Sequence, residues 1–204
     1  DYWFSFLKDF ARHLKQKCWF HKTTISMDER GAEVMKHAFN LIFRADPEYK
    51  VSGQGHYYAE VEPMMYEMCL AYGESFPEEL LAARRKAGKV STVYTCCSEP
   101  FPNVFTFSTP AEATWTMWHA IAGDYDGYLR WAFNSWTIDP LRDSRFRTWA
   151  AGDTYIVYPD RSSIRFERLV EGVQDAEKIR ILREEFKAKG QKAKLDKLNK
   201  AVSK

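Results

Sequence analysis

The chain has 204 residues, with 30 Lys and Arg against 28 Asp and Glu, a formal charge of +2 at pH 7. So even a balance makes no long-range field of one sign, which argues against nucleic acid or an acidic membrane surface as partner. No apolar run approaches the roughly 20 residues of a membrane-spanning helix.

In chain order, residues 2–17 place Trp3, Phe4, Phe6, Leu7, Phe10 and Leu14 at helical spacing, with Lys and Arg between them. Trp19 to Met27 reads as a strand leading into the corner Asp28-Glu29. A helix is predicted over Ala32 to Phe43, stopping before Asp46-Pro47. Tyr49 to His56 is a short strand whose glycines open a loop, and Glu67 to Gly73 a further strand. Pro77 to Ala87 reads as a helix with Pro in its first turn and Gly88 beyond its end. The β-branched run within Lys89 to Cys97 is the clearest strand, and a Pro-rich loop follows it. A helix over Pro110 to Ile121, a strand over Gly127 to Trp136, a long loop and a helix over Ser163 to Phe186 complete the pattern. Residues 187–204 are Lys-rich, with Leu195, Leu198 and Val202 at helical spacing; they read as a solvated helical tail rather than a nucleic-acid arm.

Five strands alternating with helices, without hairpin signals, argue for a parallel α/β architecture in one domain or a large part of one. The chain begins Asp1-Tyr2-Trp3, without Met and already in a helical pattern, and is expected to be a piece of a longer protein whose leader and first elements are missing from it. Its four cysteines, Cys18, Cys69, Cys96 and Cys97, form no CxxC and have no His at zinc spacing, so no metal or other cofactor is expected. Free and mostly buried thiols are the default, and the neighbours Cys96-Cys97 are poorly placed to bond each other.

The aromatic share, 16% with 7 Trp and 11 Tyr, is rich; ordinary core packing accounts for most of these rings, and the number of Trp and Tyr also suits a cleft that takes amphipathic faces such as sugar rings. Asp28-Glu29 stands at a strand's carboxyl end, where α/β barrels keep their chemistry. The bland alternative is a surface pair salt-bridged to Arg30 or Lys22.

Three stretches are similar to the catalytic domain of glycoside hydrolase family 123: Ile25 to Arg30; Tyr94 to Cys97 with Pro102-Asn103; and Tyr125 to Trp136. The third continues through Asp139-Pro140-Leu141, Gly152-Asp153, Val157-Tyr158-Pro159 and the start of the helix at Ser163 to Glu167. The resemblance implies a (β/α)8 TIM barrel that removes β-linked N-acetylgalactosamine. A whole barrel takes about 250 residues, so residues 1–186 are expected to be the C-terminal part of one, about strands 4–8, followed by the tail 187–204. Either the missing N-terminal part of the barrel or self-association through open sheet edges would then complete the sheet. The resemblance also implies a glycan substrate and a secreted, periplasmic or cell-surface location.

Sequence neighbours on one strand end cannot straddle a glycosidic bond as the usual carboxylate pair does. They suit a substrate-assisted route in which the sugar's own 2-acetamido oxygen attacks the anomeric carbon. In that route the resemblance assigns Glu29 as acid/base and Asp28 as the group holding the acetamido N–H. Two adjacent carboxylates also discourage each other's ionisation, which favours one protonated acid. Trp131 and Trp136 are candidates for the wall beneath the sugar, with core roles as the rival. Asn134 binds a ring hydroxyl or forms a turn; Tyr94 reaches the acetamido oxygen or fills the core. His56 contacts a substrate hydroxyl or is an ordinary surface residue, and Arg130 anchors acids inside the barrel. A carbohydrate-binding relic without turnover and a barrel glycosidase of other specificity remain open beside the hydrolase.

Overall fold

The computed structural model describes residues 2–203, so the outermost residues of the two expected segments, Asp1 and Lys204, lie outside it. Two compact units divide the chain, Asp1–Thr92 and Val93–Lys204.

The first unit opens with α1 (Tyr2–Gln16), which buries Leu7, Ala11 and Leu14 at the spacing of one helical face. Cys18 then adopts a left-handed φ of 57°. The Trp19 N–H donates to Leu14 O at 2.9 Å and the Cys18 N–H to Lys15 O at 3.1 Å, the paired bonds of a Schellman stop. This stop corrects the strand expected from Trp19. Residues Phe20–Lys22 form a 3-10 turn, and β1 spans only Thr24–Met27. The aromatic residues that suggested a strand serve the turn: Phe20 packs on Tyr49 with ring centroids 5.0 Å apart and lies under the Lys15 ammonium at 4.6 Å.

Helix α2 (Ala32–Ala45) buries Met35, Phe39 and Ile42. It stops at an extended Asp46, as the clash imposed by Pro47 on its predecessor requires. Strand β2 (Lys50–Gly55) pairs parallel with β1, setting Thr24 beside Lys50 and Met27 beside Gly53. Strand β3 (Glu67–Ala71) pairs parallel with β2, from Ser52 beside Glu67 to Gly55 beside Leu70. Val51, Ser52 and Gly53 are all buried, the mark of a strand covered on both faces. Gly53 leaves room for two methionine ends: a β-carbon would stand 2.3 Å from Met35 Cε and 3.0 Å from Met65 Cε, so those side chains would have to shift. Helix α3 (Glu78–Lys86) leads to β4 (Val90–Thr95), whose Val90 N–H donates to Tyr66 O at 2.9 Å. Strand β4 runs from the first unit into the second, and β5 (Gly127–Arg130) follows it in the order β1-β2-β3-β4-β5. Strands alternating with helices in this parallel order are those of part of a (β/α) barrel.

In the second unit, α4 (Pro110–Ala122) starts on a capping box, with the Thr109 N–H donating to Glu112 Oε1 at 2.8 Å and Pro110 in the first turn. Strand β5 ends at Arg130, not at Trp136 as expected. The Ser135 N–H donates to Thr154 O and the Ile156 N–H to Phe133 O, so the chain forms a short antiparallel bridge with its own loop around Asn134 and Tyr155. The N-cap hydroxyl of Ser163 accepts from the Phe166 N–H at the start of α5 (Ile164–Ala188). Val104, Ala113 and Ile156 form a buried cluster under Phe166 and Leu169. The tail forms α6 (Lys192–Val202), tied to α5 by Arg183 Nε donating to Asn199 Oδ1 at 2.9 Å, with Val202 buried. No described helix is long and apolar enough to cross a membrane.

Helices α4 and α5 cross closely at Gly172, where a β-carbon would lie 2.9 Å from both Met117 Cβ and the Thr114 carbonyl oxygen. Backbone cannot yield as a flexible side chain does. Gly172→Ala therefore costs about 1–3 kcal/mol of overpacking, despite alanine's better helix propensity; a denaturant midpoint equal to or above wild type would contradict this.

The thiols depart from the expectation of burial. Cys18 and Cys97 are exposed and Cys96 is half-buried; only Cys69 is buried. Burial pushes the Cys69 thiol up to about 12, against a smaller opposing hydrogen bond to Thr92. Under native conditions at pH 8, Cys18 reacts with a disulfide reagent and Cys69 stays unlabelled until the chain unfolds. Peptide mapping of native label on Cys69 would contradict that assignment.

Candidate active site

Asp28 and Glu29 follow β1 directly and are both exposed. The turn that presents them is braced by Arg30. Its Nη1 stands 3.1 Å from Asp28 Oδ2 and donates to Glu29 O at 2.8 Å. The Arg30 partner weighed from the sequence is therefore present. An exposed pair of this kind is worth about 0–1 kcal/mol, too little to prevent Asp28 from exchanging it for a better donor. Strand β2 reaches the same end of the sheet. Gly55, with φ of 107°, would place a β-carbon 3.3 Å from Glu29 Cγ. Glycine there satisfies the left-handed backbone and leaves room for the Glu29 side chain. One strand position earlier, Gln54 Nε2 donates to Ser26 Oγ at 2.8 Å, joining the ends of β1 and β2 by side chains. His56 comes next; its exposed ring sits 2.9 Å from Glu74 Oε1 through Nδ1 and edge-on to Tyr58.

The other predicted residues belong to the second unit. Tyr94, in β4, is buried at 4% exposure. Trp131 and Trp136 are exposed, at 37% and 41%. Trp136 Nε1 donates to Val157 O at 2.8 Å, and Trp131 Nε1 to Asp153 Oδ1 at 3.2 Å. Asn134 is exposed and forms an antiparallel bridge with Tyr155. Phe146 and Trp149 extend this surface. Trp149 meets Trp131 edge to face with centroids 4.8 Å apart, and Phe146 lies 5.6 Å from Trp149. Both come from the long loop, where no spacing in the sequence announces them; only the density of aromatics could have pointed there.

Arg130 anchors an acid, as read from the sequence. Its Nη2 pairs with the buried Asp153 Oδ1 at 2.7 Å, while Nη1 donates to Thr95 O at 3.0 Å and Asn103 Oδ1 at 3.2 Å. Asn103 Nδ2 in turn donates to Cys96 O and Glu99 O, both at 2.7 Å. The carboxyl ends of β4 and β5 are thus joined by a buried polar network, in which Arg130 Nε and Asp153 Oδ2 have no hydrogen-bond partner among the described residues. A second arginine holds the loop from behind. Arg165 Nη1 donates to the carbonyls of Val104, Gly152 and Tyr155 at 2.6–2.8 Å, and burial pushes its guanidinium below the usual range. Gly152, with φ of 78°, admits that contact, since a β-carbon would stand 2.7 Å from Arg165 Nη1.

Among the described residues, no cluster of His, Cys, Asp and Glu is arranged to hold a metal ion. A groove of about 500 Å³ between α4 and α5, lined by Trp115, Trp118, Arg168 and Glu171 among others, includes none of the predicted site residues.

Two comparisons with known proteins point to one family. No curated protein matches the chain. Among solved structures, a family 123 glycoside hydrolase from Clostridium perfringens, described for its hydrolysis of glycolipid glycans, matches with a TM-score of 0.85 and 29% identity. That match covers 97% of this chain and 37% of the other, so the chain spans a little over a third of that protein's length. The family model described as the glycoside hydrolase 123 catalytic domain matches residues 1–182, nearly the whole chain. By that match over nearly its whole length, this chain belongs to the glycoside hydrolase 123 catalytic-domain family.

Proposed function

We propose that the protein carrying this chain is a retaining glycoside hydrolase that releases terminal β-linked N-acetylgalactosamine by substrate assistance. The observation that supports this reading most is the adjacent pair Asp28-Glu29 closing β1 in a chain of this family. Neighbouring residues attack from one side of a bond, so one of them cannot be the opposed nucleophile of the usual retaining pair. The 2-acetamido oxygen takes that role. It bonds to the anomeric carbon as the glycosidic oxygen leaves, and that oxygen takes a proton from Glu29. The resulting oxazolinium opens when water, deprotonated by Glu29, adds to the anomeric carbon from the face the leaving group vacated. Two inversions give net retention. Asp28 accepts the acetamido N–H and stabilises the positive charge that develops on the ring being formed. Trp131 and Trp136 supply apolar walls for the sugar, and Asn134 and His56 polar contacts to its hydroxyls. The similar structure's action on glycolipid glycans supports glycans of that class as the substrate.

Asp28→Asn tests this division of labour in the full-length protein. Amide for carboxylate keeps the size and removes the charge, so formation of the oxazolinium slows by about 10²-fold or more, and the absence of a burst of leaving group shows the first step to be limiting. An unchanged rate on acetamido substrates would remove Asp28 from the mechanism. The exposed aromatics of the second unit also fit a binding module without turnover, which predicts sugar binding by the full-length protein and no product at all.

A further inference from the structure

Asp153 is fully buried, yet only one of its carboxylate oxygens is used in hydrogen bonds. Oδ1 takes both Arg130 Nη2 at 2.7 Å and Trp131 Nε1 at 3.2 Å, while Oδ2 is enclosed with no hydrogen-bond partner among the described residues. An arginine and a carboxylate left to themselves pair through two parallel bonds. Here the guanidinium instead spends its second nitrogen on Thr95 O and Asn103 Oδ1, and the carboxylate turns one oxygen to be shared with an indole. Buried polar atoms left unmatched are costly, so a simple structural ion pair does not account for this arrangement.

What the arrangement accomplishes is at Trp131. Its backbone follows the last residue of β5. Its N–H edge is tied to Asp153, and its ring stands at 83° to Trp149. The ring nevertheless stays 37% exposed. An indole fixed at one edge and braced by a perpendicular neighbour has a defined plane before any ligand arrives. Stacking on a sugar depends on that plane, and a ring already in place loses less rotational freedom on binding.

On the reading of Trp131 as a wall beneath the sugar, we propose that Asp153 is a positioning residue: held by Arg130, it sets the plane of the Trp131 indole for the sugar's apolar face. Its effect lies in substrate binding and not in the proton transfers.

The test uses the full-length protein and 4-nitrophenyl 2-acetamido-2-deoxy-β-galactoside. Trp131 is replaced by β-(3-benzothienyl)alanine, which keeps the bicyclic ring and leaves the Arg130–Asp153 pair intact but has no N–H to donate. The expected result is a KM raised about fivefold, the change one hydrogen bond of ordinary strength gives, with kcat close to wild type. Asp153→Asn keeps an acceptor for the indole and loses the charge. Its Trp131 indole N–H resonance moves upfield, and its KM rise falls short of that in Asp153→Leu. Trp131→Ala separates the two levels. If it raises KM tenfold or more while the benzothienyl variant matches wild type, Asp153 is not a positioning residue and the wall reading stands. If Trp131→Ala leaves KM unchanged, the wall reading itself is overturned.

Discussion

Glu29→Gln lowers kcat of the full-length protein by about 10²–10⁴-fold on a 2-acetamido galactoside with a poor leaving group, the range that general acid help covers. KM changes far less, because the amide occupies the carboxylate's volume and Gly55 still leaves it room. Glu29 is exposed, and surface changes of this kind usually stay within about 0.5 kcal/mol of wild-type stability, so the loss reports chemistry rather than folding. The leaving group supplies a second axis. A dinitrophenolate departs without a proton, so the first step recovers on that substrate and the second, which needs Glu29 as base, limits the rate. Added azide then restores turnover, since that nucleophile needs no deprotonation. Wild-type rates on the poor leaving group would remove Glu29 from its role.

The largest stability effect is expected at Arg84. This side chain is 2% exposed and ion-paired to Glu62; its Nε donates to Ser91 Oγ at 2.8 Å and its Nη2 to Val90 O at 2.7 Å. Its guanidinium also lies over the Phe76 ring at 5.6 Å. Arg84→Met keeps the stem and removes every one of these polar contacts. Among the described residues, Lys89 at 3.4 Å is then the cation left to offset the charge of the buried Glu62, and the Val90 carbonyl loses a donor. Breaking a buried pair from one side costs about 3–5 kcal/mol, read as a lower urea midpoint at unchanged slope. The double variant Arg84→Met/Glu62→Leu recovers part of this, because it leaves no uncompensated charge. A loss below about 1 kcal/mol in the single variant would mean that Lys89 takes over the pairing.

Helices were legible because their evidence is local. The burial of Leu7, Ala11 and Leu14 in α1, and of Met35, Phe39 and Ile42 in α2, repeats the apolar spacing of the sequence. The stop before Pro47 and the start at Thr109-Pro110 follow from backbone chemistry at single residues. The strand limits were less legible. Trp19 and Phe20 look like strand residues, but a left-handed Cys18 closes α1 and commits them to a turn. Residues beyond Arg130 look like a continuation of β5, but their backbone partners lie some 20 residues on, at Thr154 to Ile156. The same distance hid half of the aromatic surface: Trp149 reaches Trp131, and Phe146 reaches Trp149, from a long loop that Arg130 and Arg165 hold in place. The acid pair needed none of this, since its position at the end of a β-branched run can be read in four residues.

The measurement that tests the central claim most directly compares the full-length protein on matched aryl β-galactosides bearing 2-acetamido, 2-trifluoroacetamido or plain 2-hydroxyl groups. Substrate assistance makes the acetamido oxygen the nucleophile. The prediction is turnover of the acetamido sugar, a steep fall as fluorine withdraws electron density from that oxygen, and no turnover of the 2-hydroxyl sugar. Equal rates on acetamido and hydroxyl substrates would contradict the account and require a protein nucleophile that the Asp28-Glu29 pair cannot supply.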